Sequence, residues 1–361
     1  MVSFAILLMS PFCEVRRNGI RAKFKLRKEK RSDLIRKLQI YLDQAGIENL
    51  VPPGNVETVE LNLHMKQGLS NKTYLLDIKT KTLSKTFILK AYNTNDNKAL
   101  REFRLLKVLK SKNLPVPEAY LLEESGKILG KPFIIMEKIN NTQPKDEQQL
   151  IDAVAYSLVK VHEVKPSELK NILEDKGNYP QRELDELKTL AVLSTFLTIG
   201  ASASFMKYIK YISFLKPRAP KGRAFLVHGD YGFDNIIYSN GKAYVIDWES
   251  ADIAEPTFDV AYICNFLDFY EQVKSETKEK LSEKFIESYE KYGGTLIELN
   301  FYRKLAALRL LLLLDILSSR GLLTTMIKIQ LGLREQKLKS LKEFFIDKFK
   351  SYLLTVLEEK Y

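Results

Sequence analysis

The reading of this chain turns on His228-Gly229-Asp230-Tyr231-Gly232-Phe233-Asp234-Asn235, followed by Ile246-Asp247-Trp248-Glu249. Each polar cluster follows directly on an apolar run. Ala224-Phe225-Leu226-Val227 precedes the first and Ala243-Tyr244-Val245-Ile246 the second, with Ile236-Ile237-Tyr238 between them. Ser239-Asn240-Gly241 is a hairpin turn signal, because Asn and Gly accept the left-handed backbone that a tight antiparallel turn requires. Asp230 and Asn235 share one loop, and Asp247 ends the opposing strand of a hairpin, so all three side chains are expected at one end of this island. A lone Asp or Asn after a strand is usually a turn or cap residue. Three in this order, each behind an apolar strand, suit another purpose. Asp and Asn oxygens are hard ligands fit for Mg²⁺. One carboxylate remains to orient a hydroxyl. Phosphoryl transfer needs that division of labour, since its catalysis is mainly positioning and charge neutralisation.

The surroundings give an α+β pattern. Strand-like alternation at 56–65, 73–78 and 86–91 precedes a helical run at 100–110. Two more strands follow at 119–122 and 132–139. Ser32-Asp33 reads as the start of an earlier helix carrying Leu34, Ile35, Leu38, Tyr41 and Leu42, with Gly46 ending it. Beyond Asp146 the periodicity is mostly helical, at 150–162, 184–215, 266–292 and from 296 onward. A β-rich half followed by a helical half implies two lobes with a cleft between them, a common place for a ligand.

H-G-D-x-x-x-x-N followed by I-D-W-E resembles the aminoglycoside phosphotransferase and choline kinase group, relatives of protein kinases. The resemblance runs from about Gln67 to Asn265. It implies a two-lobed protein-kinase-like fold, with a small antiparallel β N-lobe carrying one helix and a larger, mainly helical C-lobe. It divides the chain into a flexible basic extension (1–31), a nucleotide-binding N-lobe (32–139) and a C-lobe with the catalytic loop and acceptor site (140–361). Asp230 takes the place of the catalytic base, and Asn235 and Asp247 those of the metal ligands. His228 and His162 match landmark histidines with structural roles. Glu255-Pro256-Thr257-Phe258-Asp259-Val260-Ala261 matches a further family segment, in which Asp259 would tether the catalytic loop. ATP, with GTP as an alternative, and Mg²⁺ are the implied cofactors.

The nucleotide is expected on four features. The turn Gln67-Gly68-Leu69-Ser70-Asn71 offers backbone N–H groups to phosphate and resembles the family's G-x-S-N loop. Lys90 ends a strand where it can reach the phosphates. Glu102, twelve positions on, can pair with it, as kinases require. Glu137 to Ile139 matches the strand entering the hinge, whose backbone would meet adenine. The acceptor is a small hydroxyl compound. Family members act on aminoglycosides, choline, ethanolamine, homoserine and methylthioribose. Many of these are cationic, so Asp234, Glu249, Asp252 and Glu255 are candidate acceptor contacts. Trp248 is either a stacking surface or a core aromatic under the metal loop. A protein kinase is the alternative enzyme. Against it stand H-G-D in place of H-R-D, D-W-E in place of D-F-G, and no A-P-E segment. A non-catalytic nucleotide- or RNA-associated module is the third reading.

Composition agrees with a folded enzyme. The 361 residues are 45% hydrophobic and 11% aromatic, enough for a packed core. The net charge is +12, and most of it falls between Arg16 and Arg31, where nine basic residues face the single acid Glu29. Nucleic acid is a conceivable partner through residues 16–31 alone. The two cysteines, Cys13 and Cys264, have no metal or redox spacing and fit a reducing, cytoplasmic location. The apolar start, 1–13, is too short to span a bilayer, and its positive charge follows it, unlike a signal peptide. Leu305 to Leu317, interrupted by Arg309 and Asp315, reads as a buried helix rather than a membrane span.

Overall fold

The computed structural model describes residues 28–63, 71–93, 97–197, 202–274, 280–319 and 341–359. These fall into two compact units that divide after Asn140.

The first unit opens with α1 (Lys28–Ala45). It starts before the expected Ser32-Asp33, because the intervening Lys, Glu and Arg residues are good helix formers and nothing breaks the run. Five antiparallel strands follow: β1 (Thr58–Leu63), β2 (Lys72–Lys79), β3 (Ser84–Ala91), β4 (Ala119–Glu123) and β5 (Phe133–Glu137). Their order across the sheet is β1-β2-β3-β5-β4. The helix α2 (Lys98–Ser111) is inserted between β3 and β4. The period-two rule decides the faces. Leu76 and Phe87 lie opposite each other in the ladder and both are fully buried, with Leu89, Phe133 and Ile135 in the same cluster under α1 residues Leu38 and Leu42. Phe133 meets the edge of Tyr41, ring centroids 6.2 Å apart. Lys90, next to Leu89, therefore takes the other face of β3.

The second unit is mainly helical: α3 (Glu147–His162), α4 (Tyr179–Leu197), α5 (Ser202–Leu215), α6 (Thr257–Lys274), α7 (Leu281–Lys291), α8 (Leu299–Ser318) and α9 (Leu341–Glu358). The polar island supplies four short strands, β6 (Phe225–Val227), β7 (Ile236–Ser239), β8 (Lys242–Val245) and β9 (Asp252–Ala254). β7 and β8 form the expected hairpin, with Asn240 and Gly241 both at positive φ, 49° and 81°. β6 pairs instead with β9, Val227 opposite Asp252.

The core of this unit is built around α8. Phe301, Tyr302, Leu305, Leu308, Leu311 and Leu312 are buried against α6 and α9. The buried charges Lys304 and Asp315 within this helix are partnered, as burial demands. Lys304 donates to the carbonyl of Leu357 at 3.1 Å. Asp315 accepts from Tyr208 at 2.5 Å and pairs with Lys350 at 2.5 Å. Among the described residues no helix is long and apolar enough to cross a membrane, and Cys264 is a free, buried thiol. Cys13 and most of the basic segment lie outside the described residues.

Replacing Phe133 by Ala should cost about 3–5 kcal/mol, the transfer loss of a buried ring plus the cavity left behind. The urea midpoint measures it. A midpoint equal to wild type would mean that the α1–sheet core is not as described.

Candidate active site

The loop that carries Asp230 leaves β6 and turns at Gly229, whose φ is +76°. A Cβ there would lie 2.3 Å from the carbonyl oxygen of Ser250, so both the backbone and the space demand glycine. The turn is held from below by Asp259 in the first turn of α6. Its carboxylate, fully buried, accepts from the amides of His228 at 2.6 Å and Gly229 at 2.9 Å. His162 at the end of α3 completes its shell. Nε2 lies 3.2 Å from Asp259 and Nδ1 2.8 Å from the Tyr289 hydroxyl, so Nε2–H donating to Asp259 and Nδ1 accepting from Tyr289 satisfies both nitrogens. Tyr231 ties the same loop to α3 by donating to the carbonyl of Val154 at 2.8 Å.

His228 links the two polar clusters. Its Nε2 contacts the Ile246 carbonyl at 3.1 Å, and its Nδ1 accepts from the Asp230 amide at 3.3 Å. Ile246 in turn donates its amide to the Asn235 carbonyl at 2.9 Å. Asp230, Asn235 and the residue before Asp247 are thus tied to one another through two short bridges. Both histidines brace; neither faces a reacting group.

Asp230 is gripped on both oxygens. The Tyr262 hydroxyl donates to Oδ1 at 2.5 Å. The Asn235 amide donates to Oδ2 at 3.0 Å and to the Asp230 carbonyl at 2.9 Å. Burial pushes the Asp230 carboxyl above the ordinary range, and the charge of Asp247 pushes the same way. The Tyr262 hydrogen bond and the positive charge of Arg309 hold it back. Because the Asn235 nitrogen is spent on Asp230, its side-chain oxygen is the atom left to face a cation. Asp247 follows β8 in a left-handed conformation, φ 67° and ψ 68°. That backbone costs a non-glycine residue of order 1–3 kcal/mol and is characteristic of functional positions.

Trp248, considered as a stacking surface, offers none. It is fully buried, packs edge-on against His228 with centroids 4.9 Å apart, and donates to the Val245 carbonyl at 3.1 Å. Two of the acids considered for a cationic acceptor are also committed. Asp252 pairs with Arg182 at 2.5 Å. Glu255 is fully buried and binds Arg223 at 2.6 Å. An ionised carboxylate taken out of water needs such a partner, so Glu255 is not available to a ligand, whereas Asp252 is paired but keeps 34% of its side chain exposed. Asp234 is exposed and Glu249 half-buried.

In the first unit, Lys90 Nζ lies 2.9 and 2.7 Å from the two Glu102 oxygens, and both side chains are buried. Tyr92 adds a hydrogen bond to Glu102 at 2.7 Å. Glu102 belongs to the buried stripe of α2 with Ala99, Leu105, Leu106 and Leu109, where an acid persists only if paired. The Asn71 side-chain oxygen accepts from the Asn93 amide at 3.4 Å. Gly68 and Ser70 lie outside the described residues. The Glu137 amide donates to the Glu118 carbonyl at 2.8 Å, and its carboxylate takes Lys110 and the Glu118 amide. Its side chain is therefore a strut. Ile139 follows the end of β5.

Among the described residues no cluster of three or more His, Cys, Asp or Glu is arranged to hold a metal. Asn235 and Asp247 would be completed as a divalent-cation site by oxygens from elsewhere, as phosphates provide.

Sequence reasoning overlooked Tyr262. The available signal was its spacing: three positions after Asp259 on one helix, it shares the face that meets the loop.

Residues 65–303 match the APH phosphotransferase enzyme family, and the chain belongs to that family. The fold is the α+β, protein-kinase-like one. Among curated proteins it is similar to acyl-CoA dehydrogenase family member 10 of Mus musculus, 27% identical over 222 residues, or 56% of this chain and 20% of the mouse protein. It is also similar to family member 11 of Rattus norvegicus, 24% identical over 254 residues, or 64% of this chain and 31% of the rat protein. The chain spans less than a third of the length of these relatives. Among solved structures, it resembles the Plasmodium vivax ethanolamine kinase with a TM-score of 0.61 at 14% identity, covering 95% of this chain and 92% of that one. A Ralstonia eutropha JMP134 protein provisionally assigned as an aminoglycoside phosphotransferase gives 0.62 at 20%, covering 90% and 99%. The amicoumacin kinase hAmiN, in complex with AMP-PNP, Ca²⁺ and its ligand, gives 0.56 at 15%, covering 91% and 96%. At such identities the likeness is one of fold.

Gly229→Ala should lower stability by at least about 1–3 kcal/mol, the order of cost of a strained backbone; calorimetric melting reads it, and an unchanged melting temperature would contradict the turn. Tyr262→Phe removes a donor to the charged form of Asp230 and so raises that carboxyl further. The acid limb of the kcat/KM profile should then move to higher pH. A limb that stays in place would mean that Asp230 is not the group titrating.

Proposed function

We propose that this chain is a kinase that transfers the γ-phosphoryl group of ATP to a hydroxyl of a small molecule. The observation that carries this reading is the Asp230 carboxylate, held between the Tyr262 hydroxyl and the Asn235 amide, with Asp247 adjoining it at the open end of the β7–β8 hairpin. Residues 32–139 are assigned to the nucleotide and residues 140–361 to catalysis and the acceptor. The AMP-PNP complex of hAmiN supports an adenine nucleotide.

Asp230 serves as the base. Its carboxylate takes the proton as the acceptor oxygen bonds to the γ-phosphorus and the bond to the β-phosphate oxygen breaks, releasing ADP. Burial favours that role, because a carboxyl raised above its usual range is a better proton acceptor. The grip on both carboxylate oxygens fixes its aim, and positioning is where phosphoryl transfer gains most. Asn235 through its side-chain oxygen and Asp247 through its carboxylate form a donor set of hard oxygens fitting Mg²⁺, which when bound neutralises phosphate charge. Lys90, kept in place by Glu102, is assigned to the α- and β-phosphates. Asn71, with Gly68 and Ser70 before it, is assigned to the loop over the phosphates, and the backbone near Glu137 and Ile139 to adenine.

Asp230→Asn should lower turnover on the order of 10²–10⁴-fold, the usual worth of a positioned base, with ATP binding retained. Asp247→Ala should instead abolish Mg²⁺-dependent nucleotide use. The measurement is ADP release over a panel of hydroxyl compounds, with AMP-PNP binding followed by calorimetry. Full turnover in the Asp230 variant would sink the assignment.

A further inference from the structure

Arg309 lies midway along α8, a helix otherwise packed among aliphatic and aromatic side chains. Its guanidinium sits 5.6 Å from the Phe258 ring centroid and 3.7 Å from a Glu183 oxygen on α4. About a third of the side chain, 32%, remains exposed, against 11% for Glu183. Among the described residues Glu183 is its only ion-pair partner, and none of its five N–H groups makes a hydrogen bond. A guanidinium so placed keeps its N–H groups open to solvent, and its rigid fork is suited to a planar oxyanion. The other arginines near the island make hydrogen bonds to acids. Arg182 holds Asp252, and Arg223 holds Glu255 and Thr295.

A relay of contacts links Arg309 to Asp230. Phe258, over which it lies, neighbours Tyr262 with ring centroids 6.2 Å apart, and the Tyr262 hydroxyl donates to Asp230 at 2.5 Å. The Arg309 charge opposes the upward push that burial gives both Asp230 and Tyr262. Glu183 is largely buried, and burial pushes its carboxyl above the ordinary range while Arg309 pulls it back. The environment of Asp230 thus carries a cation that makes no hydrogen bond, whereas of the acids considered for a cationic acceptor Asp252 and Glu255 are paired with arginines, Asp234 is exposed and Glu249 is half-buried.

We propose that Arg309 binds an oxyanion, a carboxylate or a phosphate, carried by the hydroxyl-bearing acceptor, so that the substrates are hydroxy anions rather than amino alcohols. This rests on the phosphotransferase reading above and names its substrate class. Arg309 fixes the anionic end while Asp230 receives the hydroxyl. Glu183 occupies the guanidinium until the ligand arrives.

The test uses the full chain with Mg²⁺ and AMP-PNP, and measures binding by calorimetry. The carboxylate probes are hydroxyacetate, 3-hydroxybutyrate and 6-hydroxyhexanoate; the phosphate probe is glycerol 3-phosphate; the cationic probes are ethanolamine and choline. Saturable binding of a carboxylate or phosphate probe is expected, weakened about tenfold or more in Arg309→Gln, a loss equivalent to about 1.4 kcal/mol. Arg309→Lys should retain part of it, because the charge survives and the fork does not. Glu183→Gln should tighten binding by removing the competitor, a gain that general structural damage cannot imitate. Which probe binds, carboxylate or phosphate, names the anion. No saturable binding of any anionic probe, equal binding to wild type and Arg309→Gln, or preferential binding of ethanolamine or choline would overturn the proposal. ADP release with ATP is measured in parallel. Anion binding that depends on Arg309 without ADP release from any probe would keep the Arg309 assignment and reject phosphotransfer. ADP release from the amino alcohols alone would do the reverse.

Discussion

The active-site loop depends on one buried carboxylate. Asp259 has no exposure to solvent, so its charge must be met by protein donors or not carried at all. The donors it finds are the amides of His228 and Gly229 and the ring of His162. Charge-assisted bonds of this kind are each worth about 1.5–3 kcal/mol, and they fix the backbone two residues before Asp230. Everything downstream inherits that anchor. His228 is placed to reach Ile246, the chain crosses back at Asn235, and the Asn235 amide closes on Asp230. Tyr262 comes from the same helix as Asp259, so one rigid element both anchors the loop and sets the hydrogen bond on the carboxylate.

Strain and satisfaction are distributed in a consistent way. The left-handed backbone at Asp247 and the tight turn at Gly229 are costs that only a well-packed surrounding can hold. The packing is supplied by Trp248 and Tyr231, both fully buried, one beneath His228 and the other tied to α3. In the other unit the same logic appears at Lys90 and Glu102. A buried pair of opposite charges adds little net stability against a hydrophobic alternative. Its persistence within the apolar stripe of α2 fits a requirement for a lysine of fixed position.

Electrostatics around Asp230 separate what is available to a ligand from what is not. The carboxylates of Asp252 and Glu255 are spoken for by Arg182 and Arg223. Among the described residues Arg309 has one ion-pair contact, to Glu183 at 3.7 Å, beside its place over the Phe258 ring. Family membership says nothing on this point, because a fold does not choose its substrate. The balance of paired and unpaired charge belongs to this chain.

Much of the site was legible in the residues themselves, because it is local. The spacing of Asp230 and Asn235 on one loop, the Asn240-Gly241 hairpin that returns the chain to Asp247, and the short step from Lys90 to Glu102 are relations over five to about a dozen positions, where turn chemistry and strand period decide the outcome. Strands were likewise expected at 73–78 and 86–91, close to the observed β2 and β3. What the sequence could not settle are relations across longer separations. Whether Trp248 faced a ligand or the core, whether β6 joined the hairpin or paired with β9, which arginine would claim Asp252 or Glu255, and that Tyr262 and Arg309 would stand near Asp230 all depended on how helices 30 to 80 residues away came to pack. Propensity is blind to those choices. They follow from burying the apolar faces of α4, α6 and α8 together, and the charges then take the partners that packing leaves within reach.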